Sequence, residues 1–178
     1  ETEVLKYKGS NTEVIDLKGN TLMPGFIDIH THPILSANIG ETIDVSGFNH
    51  KNQAEVMESL KKGIEEKGSG EWALAFGWDP AILRNLEAPT LKELDQMAPE
   101  NPLFIIAQTL HSGFANSLAL EAAGITKDTS DPEGGYFDKD ENGELTGLIM
   151  EVGAMAKFSN ATPKYPRAAY LYLLTKQM

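Results

Sequence analysis

The chain has no cysteine among its 178 residues. That excludes a disulfide-stapled scaffold and a thiolate metal site, and leaves imidazole and carboxylate as the donors open to a metal ion. Basic residues are scarce, 15 against 26 acidic, and the resulting net charge of −11 repels phosphate backbones and anionic lipid. Nucleic acid and an acidic membrane surface are therefore not expected partners. No apolar run approaches the roughly 20 residues that a membrane-crossing helix needs. At 41% hydrophobic and 23% charged, the composition is that of a soluble globular protein. Cytoplasm is the default compartment, although a chain that opens on Glu1 rather than methionine gives no information on a leader.

Histidine is also rare, and two of the four histidines stand two residues apart in Met23-Pro24-Gly25-Phe26-Ile27-Asp28-Ile29-His30-Thr31-His32-Pro33. Pro24-Gly25 breaks the preceding element, and the apolar run after it reads as a short buried strand. Side chains on a strand alternate faces, so His30 and His32 would point the same way, ~7 Å apart at Cα, within reach of one ion at about 2.0–2.1 Å from each ring. Asp28 shares their parity and is placed to hold a ligand ring from one layer deeper.

The string from Pro24 to Pro33 resembles the first-strand signature of the amidohydrolase superfamily. Further along, Gly77-Trp78-Asp79, Pro89-Thr90, Leu94-Asp95, His111, Asn116-Ser117, Ala123-Gly124-Ile125-Thr126, Asp131-Pro132, Gly134-Gly135 and Thr146-Gly147 follow in the order found in the branch similar to N-substituted-formamide deformylase. The resemblance runs from about Val14 to the end. It implies a (β/α)₈ barrel with a divalent metal, zinc foremost and one ion or two, at the carboxyl ends of the strands. It also implies later groups: a bridging carboxylated lysine or acidic residue, two more histidines, and an aspartate near the last strand that works the metal-bound water. None of these has a recognisable counterpart after His32. A full barrel needs on the order of 250 residues, so the chain is expected to be the amino-terminal portion of a longer enzyme and inactive alone.

The expected fold class is α/β, a barrel fragment with an α/β insert between barrel strands one and two. Residues 1–23 would form the edge of a β-sandwich, with strands at 13–17 and 21–23 around the Lys18-Gly19-Asn20 turn. Residues 24–37 would carry the first barrel strand, 38–160 the insert, and 161–178 a helix leading onward. Within the insert, strands are predicted at 42–45, 72–78 and over the apolar run 103–107, read on as far as Leu110 before His111. Ala54, Val56, Met57, Leu60 and Ile64 make one helical stripe. Thr90 and Glu93 form a capping box for a helix through Met97, and Asn116 caps a helix from Ser117 to Ala123 that Gly124 ends. The segment from Asp138 to Gly143 imitates an EF-hand opening, but Ile149 stands where the bidentate glutamate belongs. A hairpin turn at Asn142-Gly143 is the better reading. Helices are predicted at 151–157 and 165–176.

Besides His30 and His32 as metal ligands and Asp28 behind them, the candidate site residues are His111 as a hydrogen-bond donor or acid near the scissile group, and Trp78 and Asp79 as substrate contacts. His50 has no motif around it and reads as a surface residue. The expected activity is metal-assisted cleavage of a non-peptide carbon–nitrogen bond in a small amide-like molecule. The alternative is a freestanding α/β binding or oligomerisation module without catalysis, and homo-oligomerisation is left open.

Overall fold

A computed structural model describes residues 3–164 and 166–176. The chain divides into two compact units, residues 1–31 and 32–178.

In the first unit a short 3-10 turn spans Val4–Tyr7. The predicted glycine turn forms: Asn20 N–H donates to Leu17 O at 2.9 Å, and Lys18 N–H to Asp16 Oδ1 at 2.8 Å. The strands predicted on either side of it do not, and Val14 and Ile15 stand 60% and 72% exposed. The first barrel strand is likewise not formed. Residues 22–29 carry no regular structure, with Phe26 93% and Ile29 94% exposed. The physical reason is that a strand exists only through hydrogen bonds to a neighbour, and the described residues of the first unit form no strand to pair with this segment.

The second unit opens with a helix that the sequence reading missed, α1 (Pro33–Ile39). Its proline sits at the first helical position, where the missing N–H costs nothing. His32 is its N-cap residue rather than a strand residue, and His32 O accepts from Ser36 N–H at 2.8 Å. There follow β1 (Ile43–Asp44), α2 (Gln53–Glu65), β2 (Ala73–Trp78), α3 (Leu91–Met97), β3 (Leu103–Ala107), β4 (Ser112–Ala115), α4 (Ser117–Ala122), β5 (Tyr136–Lys139), β6 (Leu145–Met150), α5 (Glu151–Ala161) and α6 (Arg167–Lys176). Tyr165, the first residue of the last predicted helix, lies outside the described residues.

The six strands form one sheet in the order β1-β2-β3-β4-β6-β5. The first three run parallel and the rest antiparallel to their neighbours. The local signals held. Of the predicted α2 stripe, Val56, Leu60 and Ile64 are buried, Met57 is half-buried and Ala54 exposed, and Asn52 Oδ1, a cap not read from the sequence, closes the helix start. The Thr90–Glu93 capping box closes in both directions. Asp140 Oδ1 accepts from the main-chain N–H of Asn142 and Glu144 at 2.8 and 2.9 Å, which closes the hairpin turn. Those main-chain donors, Glu144 first, hold its carboxyl below the ordinary range.

Apolar side chains from the sheet feed two cores. Ala73, Ala75, Leu103, Ile105 and Phe114 pack with α2 and α3, while Phe104, Ala115, Phe137 and Ile149 pack with α4 and α5. Strict alternation along β2 would put Trp78 with Trp72, Leu74 and Phe76, but it joins Ala73 and Ala75 instead. The cause is Gly77, whose φ of +110° coincides with a bulge between Phe76 and Trp78. Only a residue without Cβ fits there, because a Cβ would lie 2.7 Å from Ser46 Cβ and 2.9 Å from its Cα.

The strand expected over the apolar run 103–107 forms as β3, and its continuation to Leu110 does not. β3 stops at Ala107, the chain reverses through Gln108–His111, and β4 returns antiparallel to it. Leu110 makes the reversal at φ +62°, a conformation that its sequence does not advertise.

Candidate functional site at the carboxyl edge of the sheet

Strand directions bring the candidate residues of the second unit to one edge. Trp78 ends β2 opposite Ala107, which ends β3, and Gln108 N–H donates to Trp78 O at 3.1 Å. Ser112 opens β4 opposite Met150, which ends β6. Asp44 ends β1 at the same edge. Ligands in open α/β sheets gather beyond the carboxyl ends of parallel strands, where loops rather than ladder bonds occupy the backbone.

A cavity of about 310 Å³ lies at this edge, with Trp78, Leu86 and Phe114 as apolar wall and Asp79, Thr109 and Ser112 as polar groups. The size and the mixture suit a small ligand. Trp78 is 3% exposed, and its ring meets Phe114 edge-on at 5.8 Å, so it builds the wall as a core residue. Asp79 Oδ1 accepts from Ala81 N–H at 2.7 Å, which pins the loop after β2. A larger hollow of about 440 Å³ between α4 and β6 includes the Lys127–Glu144 ion pair, and none of the four histidines lines it.

His111 sits between two cavity residues, Thr109 and Ser112. Its Nδ1 lies 2.8 Å from Glu151 Oε2, and Glu151 N–H donates to His111 O at 2.7 Å. The two residues are thus held together by side chain and main chain at once. Both flanks are strained, since Leu110 and Glu151 have φ of +62° and +67° without being glycine. A left-handed residue costs about 1–2 kcal/mol. An exposed ion pair returns about 0.2–1 kcal/mol, and an acid at the start of a helix about 0.3–1 kcal/mol. Stability alone therefore gives glutamate no clear advantage over glycine at position 151. Sequence reasoning missed Glu151, because a glutamate opening a helix is ordinary and nothing in its neighbourhood points to a histidine 40 residues away.

Asp44 was also not singled out. Burial raises its affinity for a proton, but hydrogen bonds from Asn49 and Ser46, with the charge of His50, outweigh this and hold its carboxyl below the ordinary range. Ser46 N–H donates to it at 2.8 Å, and Asn49 Nδ2 donates to its second oxygen. His50, read as a surface residue, is half-buried, with Nδ1 2.8 Å from Ser46 O.

The metal-ligand candidates were argued from strand parity, and that argument falls with the strand. His30 belongs to the first unit and His32 to the second. Asp28 Oδ1 accepts from the main-chain N–H of His30 at 3.0 Å, so the bond seen for it fixes the backbone of the motif. Two imidazoles are the right donor chemistry for zinc or a similar divalent ion. Among the described residues, however, no group of three or more histidine, aspartate or glutamate side chains could hold one, so the donor set here is partial.

The amidohydrolase family matches residues 13–178 of the chain. The chain is 36% identical over 154 residues to the N-substituted formamide deformylase of Arthrobacter pascens, covering 86% of this chain and 28% of that protein. Two solved structures resemble it, both of uncharacterized metal-dependent hydrolases. The one from Pyrococcus horikoshii OT3 has a TM-score of 0.54 at 27% identity, covering 99% of this chain and 32% of that one. The one from Pyrococcus furiosus has the same TM-score and identity, covering 92% and 31%. The chain thus spans about three-tenths of the length of these relatives.

Proposed function

The chain belongs to the amidohydrolase family, and on that premise we propose that it carries part of the site of a metal-dependent hydrolase that cleaves a non-peptide carbon–nitrogen bond in a small amide-like substrate. The observation that carries this reading is the His30-Thr31-His32 motif inside the matched region. His30 and His32 would supply two ligands to a divalent ion, with zinc the metal these donors suit best. Such an ion lowers the pKa of bound water and polarises the carbon under attack. The chain's other residues bind and orient. Trp78, Leu86 and Phe114 offer an apolar wall for the substrate's carbon skeleton, and Asp79 and Ser112 offer polar contacts beside it. His111, in sequence between the lining residues Thr109 and Ser112, is assigned the role of hydrogen-bond donor or acid near the scissile group.

Because a catalytic zinc ordinarily takes three protein ligands, the 178-residue chain is expected to show no amidase, deaminase or deformylase turnover with zinc, manganese or iron supplied. A protein of the relatives' length should turn over an N-substituted formamide or a related amide, and His30→Ala or His32→Ala should abolish it. Turnover by the short chain, lost in His30→Ala, would overturn the view that its site is partial. A second reading, a binding or oligomerisation module without catalysis, draws on the two cores that the second unit builds for itself. It would prevail if the longer protein bound no metal and hydrolysed no such substrate.

A further inference from the structure

We propose that Glu151 is a positioning residue for His111, fixing the imidazole with Nδ1–H on the carboxylate so that Nε2 is the atom that exchanges a proton at the cavity edge. The inference rests on the hydrolase reading above for the use of that proton, and on the geometry of the pair for everything else.

An ionised carboxylate only accepts hydrogen bonds, so the 2.8 Å contact between Glu151 Oε2 and His111 Nδ1 requires the proton on Nδ1, whether the ring is neutral or charged. Nε2 then carries the lone pair of the neutral ring. The histidine side chain is 65% exposed and the glutamate 48%, so the ring is held without being closed off from a ligand. The two come from the β3–β4 reversal and the β6–α5 junction, and each depends on a left-handed residue that is not glycine, Leu110 and Glu151. Backbone strain persists where the surroundings over-determine it, and it concentrates at working sites. Position 151 has the backbone of a glycine and the side chain of a carboxylate, and the contact that side chain makes is to His111.

In hydrolysis of a carbon–nitrogen bond, a ring held this way presents Nε2 as its one open nitrogen, able as the imidazolium to donate a hydrogen bond to the scissile group. The same arrangement is the usual one wherever a carboxylate selects the tautomer of a working histidine.

The first test reads the tautomer directly. Long-range ¹H–¹⁵N spectra of the ¹⁵N-labelled chain, assigned with His111→Gln, should show neutral His111 protonated at Nδ1. Glu151→Gly, which suits the φ at this position, should move the proton largely to Nε2, while Glu151→Gln keeps an acceptor and should keep the native tautomer. The second test uses the longer enzyme: Glu151→Gly should lower kcat at least about tenfold with KM within about twofold. His111→Gln should lower kcat/KM about 10²-fold with metal content unchanged, and the double variant should be no worse than His111→Gln alone. A native Nε2–H tautomer, or full kcat in both single variants, would overturn the proposal. An unsubstituted enzyme inactive on every carbon–nitrogen substrate would instead overturn the hydrolase reading, and with it the use assigned to the proton.

Discussion

Asn116 and Leu103 are joined twice in opposite directions: Leu103 N–H donates to Asn116 Oδ1 at 2.9 Å, and Asn116 N–H donates to Leu103 O at 3.1 Å. The side chain is completely buried, and its oxygen also caps α4 by accepting from Ala119 N–H at 2.9 Å. Its amide nitrogen donates to Ala98 O at 3.0 Å and Asn101 O at 2.9 Å, so both halves of the amide are used in full. One residue thereby ties the start of β3, the end of α3, the end of β4 and the start of α4.

Removing that amide would leave buried main-chain groups unpaired. Asn116→Ala should therefore cost at least about 2 kcal/mol, given ~1–3 kcal/mol for each unsatisfied group that water cannot reach. Thermal unfolding followed by circular dichroism should show the midpoint falling by several degrees, and a fall of less than a degree would show that water or a shifted backbone replaces the bonds.

Gly77→Ala should be among the more damaging single-atom additions. It combines a φ of +110° with a Cβ set 2.7 Å from Ser46 Cβ. The cost should be roughly 2 kcal/mol or more from strain and contact together. The change should also reach the site, because the bulge at Gly77 is what turns Trp78 toward Phe114. Tryptophan near-ultraviolet circular dichroism, compared with a Trp72→Phe background, should lose the Trp78 signal. An unchanged spectrum would show that the bulge does not set the ring.

The lowered pKa of Asp44 fixes the sign of a pH effect. A carboxyl with a folded-state pKa below its unfolded value stabilises the protein above the unfolded pKa of about 3.9, and the contribution is lost as pH falls through the folded pKa. Asp44→Asn should therefore be less stable than the parent at pH 7, with the gap closing between about pH 5 and the acid limit. Urea unfolding across that range measures it, and a gap that stays constant would assign the effect to shape rather than charge.

Amide hydrogen exchange should separate the two units. Backbone N–H groups of β2 and β3, interior in the sheet, should exchange slowest, and those of Phe26–Ile29, 88–94% exposed at Phe26, Ile27 and Ile29, should exchange near the unprotected rate. Strong protection of Phe26–Ile29 in a demonstrated monomer would mean that this segment pairs within the chain.

What the sequence determined is what neighbours in sequence can settle. Asn52, Thr90 with Glu93, and Asn116 cap helices through bonds to residues three positions on, and the Asn142-Gly143 turn closes on Asp140. The apolar stripe of α2 buries Val56, Leu60 and Ile64 of the five residues its period selects, and the His30-x-His32 motif and its family were legible before any coordinates. The tertiary structure decided whatever depends on a distant partner. Whether residues 22–29 are a strand depends on a neighbour for their hydrogen bonds. The side on which Trp78 lies depends on how closely Ser46 approaches Gly77. The opposition of Glu151 to His111 arises only because β4 and β6 pair with Ser112 against Met150, which sets two residues 40 apart within hydrogen-bonding distance.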